Sequence, residues 1–256
     1  MDKNNYILMV FEGEREEKDI FDSLNKYFLI GKTNRIIYSF HCGEIYSLYH
    51  KLQNDEDETL FFILQEKLKL KNPELLNIKK KEIEAIYLFF DYDSHASGAE
   101  YNKLQSMVDF FDDEFDNGKL FVSYPMAEGL RHLKDEVDFK ETIAKSEREY
   151  KNISKECNTC FLNFNNYTQE NWNTLISQHC SKANFIINDT FEFPQNIIKQ
   201  ISILSKQKVK YIDIKNKVAV VSAFPLMLLD YYGVEKLKRK IVFCPQFKIA
   251  DGILSV

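Results

Sequence analysis

Ala85-Ile86-Tyr87-Leu88-Phe89-Phe90-Asp91-Tyr92-Asp93-Ser94-His95 reads as a buried strand that runs directly into two acids. Ala85 to Phe90 is unbroken apolar sequence rich in β-forming residues, the pattern of a central parallel strand covered on both faces. Asp91 and Asp93 follow where that strand ends. Alternate residues of extended chain share a face, so both carboxylates can address one point. In open α/β sheets, ligands bind outside the carboxyl ends of the strands. Two adjacent carboxylates repel each other, and a divalent cation relieves that repulsion. The simpler alternative is a solvated acidic loop after a core strand.

The surrounding chain repeats the pattern. Tyr6–Phe11 is a second fully apolar run, and it ends in Glu12-Gly13. Gly13 permits a sharp turn there. A helix follows, with Ile20, Phe21, Leu24, Tyr27 and Phe28 at helical spacing. Its acidic first turn suits the positive end of the helix dipole, which accounts for Glu14 and Glu17. Glu12 stands apart at the strand terminus, and Glu16 lies one helical turn beyond it. Residues 35–40 read as another strand, and Ile45, Leu48, Tyr49 and Leu52 mark another helix. A further helix is expected over 60–70, and one bearing Tyr101, Leu104, Val108 and Phe111 follows the central acids. Lys119–Tyr124 is the next strand, and Glu128 comes soon after it. Three strands thus each deliver acid near their carboxyl ends: Glu12, Asp91 with Asp93, and Glu128. Strand–helix alternation implies parallel strands with right-handed crossovers. From about residue 135 the chain reads as mostly helical. Thr168 is placed to cap a helix bearing Trp172, Leu175, Ile176 and His179. Ile197, Ile198, Ile201 and Leu204 mark another helix, and 218–232 reads as a long apolar helix interrupted at Pro225. The expected division is 1–134 for the sheet-bearing catalytic part and 135–256 for a helical part that completes the fold.

Composition narrows the partners. The net charge of −5 carries no basic excess of the kind a general nucleic-acid binder uses, so any such substrate needs local patches, a metal, a second copy or a partner. The basic stretch Lys236, Lys238, Arg239, Lys240 is one candidate patch, and Lys79–Lys81 is another, although lysine clusters are more often solvated surface. No apolar run is long enough to span a bilayer, and the N-terminus lacks a signal-peptide pattern, so a cytoplasmic protein is expected. Five scattered cysteines do not form a secreted disulfide framework.

Phe11-Glu12-Gly13 and Phe89-Phe90-Asp91-Tyr92-Asp93, in this order and strand context, resemble the TOPRIM domain. That domain is shared by topoisomerases, bacterial primases, the maturation nuclease for 5S ribosomal RNA and the overcoming-lysogenization-defect nucleases. The resemblance implies a Rossmann-like parallel sheet flanked by helices. It casts Glu12 as general acid or base, and Asp91 and Asp93 as acids that bind Mg²⁺ or Mn²⁺. Ser123-Tyr124-Pro125-Met126-Ala127-Glu128 and Ala223-Phe224-Pro225-Leu226 also look like stand-alone TOPRIM effectors of PARIS-type phage-defence systems. That closer likeness implies a nuclease toxin beside a partner ATPase of the ABC or AAA type. It tilts the substrate towards RNA such as transfer RNA, and family precedent suggests a homodimer. The topoisomerase Asp-Arg-Glu-Gly run is absent after Asp93, which favours hydrolysis over strand passage. A DNA nuclease of the overcoming-lysogenization-defect type and a non-catalytic regulatory subunit are the alternatives.

Two other chemistries compete. Phosphatases of the haloacid dehalogenase type also carry Asp-x-Asp after a strand, but they want Thr or Val where this chain has His95, and they place the motif in the first strand. A zinc site from Cys157, Cys160, His179 and Cys180 has plausible spacing. A single Cys-x-x-Cys, and a His179 on an apolar helix face, weigh against zinc. His95 beside the acids is a candidate to assist catalysis or contact phosphate.

Overall fold

The computed structural model describes residues 6–13, 15–29, 35–41, 45–54, 59–68, 76–92, 98–145 and 149–241. The first half runs β1 (Tyr6–Phe11), α1 (Glu16–Phe28), β2 (Arg35–His41), α2 (Ile45–Asn54), α3 (Leu60–Leu68), β3 (Ile83–Asp91) and α4 (Gly98–Phe110). The two-residue β4 (Asp112–Asp113) and β5 (Gly118–Ser123) follow. These strands form one sheet in the order β2-β1-β3-β5-β4. The first four are mutually parallel and β4 runs antiparallel along the edge, so the expected parallel α/β sheet is present.

The strand order decides where a ligand would sit. From β1 the chain moves outward to β2, then returns across β1 to β3 and continues to β5. The direction of winding therefore reverses between β1 and β3. Connections leaving these two strands go to opposite faces, and a crevice opens outside their carboxyl ends. Side chains show the two faces. Phe11 and Phe89 meet at 5.2 Å on the face that takes Phe21 of α1, whereas Phe90 meets Tyr46 of α2 at 5.6 Å on the other.

The second half contains β6 (Ile143–Ala144), α5 (Tyr150–Ile153), α6 (Gln169–Asn188), α7 (Gln200–Gln207), α8 (Asp213–Lys215), β7 (Val218–Ala219), α9 (Ala223–Tyr232) and α10 (Val234–Lys240). It packs directly on the sheet, and one apolar core runs through both halves. Phe224 of α9 stacks on Phe89 at 4.8 Å. Trp172 of α6 is fully buried and donates from Nε1 to Ser23 Oγ of α1 at 3.0 Å. β4 is too short to pair with all of β5, and Gln200 makes up part of the deficit: its Oε1 accepts from Val122 N at 3.1 Å. Lys182 of α6 is wholly buried, and its Nζ donates to the carbonyls of Phe139 at 3.1 Å, Thr142 at 3.0 Å and Lys140.

Local expectations met mixed outcomes. Thr168 caps α6 as read, its Oγ1 accepting from Asn171 N at 3.2 Å. The expected helix over 218–232 is instead β7 followed by α9. Pro225 causes no break, because it occupies the first turn, where a backbone N–H has no intrahelical acceptor. Ile197 and Ile198 precede α7, and Tyr27 turns outward. Among the described residues, no helix is long and apolar enough to cross a membrane.

Candidate active site

β1 and β3 run in register, with Phe11 opposite Phe89, so the residues that follow them emerge side by side. Asp91 N donates to Glu12 Oε2 at 3.0 Å, which ties the first acid to the backbone of the second. Asp91 Oδ1 accepts from Ala127 N at 2.8 Å. Ala127 opens the 3-10 turn Ala127–Arg131 after β5, and Glu128 in that turn is 1% exposed. Acids from three strand ends therefore meet at the point where the winding reverses. Glu12, Asp91 and Glu128 are brought together as the chain order suggested.

A fourth acid joins them. Glu17 is buried, and its Oε1 accepts from Gly13 N at 2.9 Å. Its place in the first turn of α1 suggests only a dipole role, whereas Glu16, one helical turn beyond Glu12, is a second-tier candidate. In the structure Glu17 turns inward and Glu16 stays half-exposed. The physical reason is the fold-back at Gly13, whose free N–H captures a carboxylate four residues on. A glycine followed at the fourth position by Glu, across a strand–helix turn, was the available signal. A Cβ built on Gly13 would stand 2.6 Å from Glu17 Cδ. Gly13→Ala therefore pushes the Glu17 carboxylate off its backbone donor. The expected result is a loss of about 1 kcal/mol of stability, measured by denaturant titration; an unchanged midpoint would show that Glu17 is not held there.

Burial and like charge act on two of these acids. Burial first, then the charges of Glu17, Glu128 and Glu12, push the Asp91 carboxyl well above its ordinary range, against the opposing Ala127 hydrogen bond. Glu17 is likewise raised, by burial and then by Glu128 and Glu16, although its backbone hydrogen bonds act the other way. Positive charge comes from Lys151 of α5, whose Nζ lies 2.9 Å from Glu128 Oε1. Burial disfavours that ammonium, yet the hydrogen bond and charge of Glu128, with Glu16 and Asp91, leave its amine raised. Nothing in the sequence pointed to Lys151.

A raised carboxyl pKa binds more protons in the folded than in the unfolded chain. Stability contributed by Asp91 and Glu17 is then intact below their ordinary values of 3.8 and 4.5, and falls as pH rises towards the raised ones. The melting-temperature advantage of Asp91→Asn over wild type, without divalent ions, should therefore grow between about pH 4.5 and about pH 7.5. A constant difference would mean that Asp91 titrates normally.

The α10 basic residues and the cysteine–histidine set do not converge here. Asp93 and His95 lie outside the described residues. The basic Lys236, Lys238, Arg239 and Lys240 sit on α10 at the far end of the sheet. Lys236 and Lys240 lie over the Tyr232 ring, and the Tyr232 hydroxyl donates to Phe28 O at the end of α1, which has run back from the carboxyl end of β1. The cysteine–histidine set has no common centre on His179. That ring is fully buried, with Nε2 on Leu130 O at 3.0 Å and Nδ1 accepting from Ser222 N at 3.0 Å, and burial lowers its pKa to about 3. Both ring nitrogens are thus used by the backbone. Cys180 is also buried, against Pro225 O. Among the described residues, no group of three His, Cys, Asp or Glu side chains is arranged to hold a metal ion. No family model, curated protein or solved structure matches the chain.

Proposed function

We propose that the chain is a divalent-cation-dependent nuclease. The observation that carries this reading is the meeting of Glu12, Asp91, Glu128 and Glu17 at the reversal point of a parallel sheet. The donor chemistry fits a hard cation: the groups are carboxylates, Glu17 and Glu128 are buried, and burial with neighbouring negative charge raises Asp91 and Glu17. Glu12 and Asp91, with Asp93 beside them in sequence, would hold Mg²⁺ or Mn²⁺. Such an ion, when bound, supplies charge stabilisation for a phosphate and a more acidic water. The chain supplies the rest. Asp91 N orients the Glu12 carboxylate, which takes a proton from the attacking water or returns one to the leaving oxygen. The Ala127 N–H fixes the Asp91 carboxylate, and Lys151 keeps Glu128 compensated while no cation is present.

The TOPRIM resemblance supports a narrower version. In it the substrate is RNA of the transfer-RNA class, and the protein is a homodimeric effector restrained by a partner ATPase in phage defence. An acidic protein with weak affinity for nucleic acid of its own suits such restraint. The deciding assay incubates wild type and Glu12→Ala with labelled transfer RNA, single-stranded RNA and plasmid DNA, in Mg²⁺, Mn²⁺ or chelator. Metal-dependent cutting of RNA by wild type alone is expected. Cutting of DNA alone favours the overcoming-lysogenization-defect type, and no cutting even with the partner ATPase present favours a regulatory subunit.

A further inference from the structure

A cavity of about 530 Å³ lies where the C-terminal end of α6, the connection that follows it and the start of α7 meet. Four carboxamides line it, those of Asn184, Asn188, Gln195 and Asn196. The first two stand one turn apart on α6 and fix the wall. Asn184 Nδ2 donates to Glu192 O at 3.0 Å, and Asn188 Nδ2 donates to Asn184 Oδ1 at 2.8 Å. Gln195 and Asn196 are exposed, and among the described residues neither side chain has a hydrogen-bond partner. Their donors and acceptors are left for a ligand. Phe193 adds an aromatic surface. The lining carries one carboxylate, Glu192, and one ammonium, Lys199, so its own charge balances. Positive charge stands at its border. α10 carries four cations, Lys236, Lys238, Arg239 and Lys240, against the single acid Glu235. Lys238 Nζ lies 5.7 Å from the centre of the Phe193 ring, and its pair with the 78% exposed Glu235 is loose at 3.9 Å. The basic stretch that the acid cluster leaves unused therefore adjoins an amide-lined cavity.

We propose that this cavity and α10 bind a nucleotide of a single nucleic-acid strand, the base in the cavity and the phosphate towards α10. The match holds part by part. A carboxamide offers a donor and an acceptor side by side, the pattern that reads a base edge, and adenine is the base it fits best. An aromatic side chain covers the face of an unstacked base. The α10 cations take phosphate, and their number suits more than one. The volume lies within the range of small-molecule sites. A bare sugar would use the amides without the cations, and a bare anion the reverse. The site is separate from the acids and its binding is measured without a cation, so its failure leaves the nuclease reading standing.

Calorimetric titration of the full chain in chelator tests this with adenosine monophosphate, with adenosine and ribose phosphate as its parts, and with hexaadenylate RNA as the strand. The nucleotide should bind with a Kd below about 1 mM, and each part at least about tenfold more weakly. Hexaadenylate should bind at least about tenfold more tightly than the nucleotide, because further phosphates meet α10. Lys238→Ala should weaken the nucleotide about tenfold and leave adenosine unchanged. Gln195→Ala combined with Asn196→Ala should weaken nucleotide and adenosine alike, about tenfold. Both residues are exposed, so that variant should fold, as its melting temperature checks. No heat of binding up to about 10 mM nucleotide overturns the site. Nucleotide binding that survives the double replacement in a folded protein overturns its location. Ribose phosphate equal to the nucleotide overturns base recognition, and hexaadenylate no tighter than the nucleotide overturns the strand.

Discussion

Asp91→Asn should lower metal-dependent phosphodiester cleavage by at least about 100-fold while making the metal-free protein more stable. The two effects share one cause. Asparagine keeps the shape, and its Oδ1 can still accept from Ala127 N. It removes one negative charge from a half-buried group whose neighbours are Glu17, Glu128 and Glu12. The repulsion relieved should appear as a higher melting temperature, roughly 2–4 °C for each kcal/mol at this chain length. The same substitution removes the charge that a cation would need, which is the usual conflict between stability and activity at a site. Wild type should gain stability from added Mg²⁺ at neutral pH, and Asp91→Asn should gain much less. An undiminished cleavage rate would remove Asp91 from the site. A lowered melting temperature would instead show that the carboxylate is structural.

Lys182→Met should be among the more damaging changes away from the acids, at about 2–4 kcal/mol for the orphaned carbonyls. The Lys182 ammonium has three N–H groups and donates to three backbone carbonyls, those of Phe139, Lys140 and Thr142. Methionine fills similar space but leaves all three carbonyls without that partner in a buried turn. That turn leads into β6, and Val220 N bonds Thr142 O at 3.1 Å just beyond β7, so the damage should spread to the β6–β7 pair. Urea titration of the folded variant measures the loss; a change below about 1 kcal/mol would mean that the turn is held by its other contacts.

Much of this architecture is written locally. Apolar runs that stop at an acid, such as Phe11-Glu12 and Phe90-Asp91, announce both a parallel strand and the end at which a ligand gathers. Glu128 follows from the same logic applied to β5. Glu17 escaped because its neighbours offered a sufficient local explanation, an acidic first turn, and only the path of the chain at Gly13 separates it from Glu16. Lys151 escaped for a different reason. It comes from a four-residue helix with no periodicity to read, and only tertiary structure sets it against Glu128. Lys236 to Lys240 show the opposite case. They cluster in sequence, yet the direction of α9, antiparallel to β5, delivers α10 to the end of the sheet away from the acids.

The late arrival of α9 has a consequence for the nascent chain. Ala223 N reaches back 100 residues to Ser123 Oγ, and the Tyr232 hydroxyl reaches back 204 residues to Phe28. Until Phe224 has left the ribosome, the ring of Phe89 has no cover from that side. At translation rates of about 5–20 residues per second, the span from Ser123 to Ala223 takes roughly 5–20 s. For that interval the acid-bearing strands exist without the helix that completes their core. Until α9 is available, an aromatic face of the acid-bearing sheet lacks its native cover and is open to aggregation.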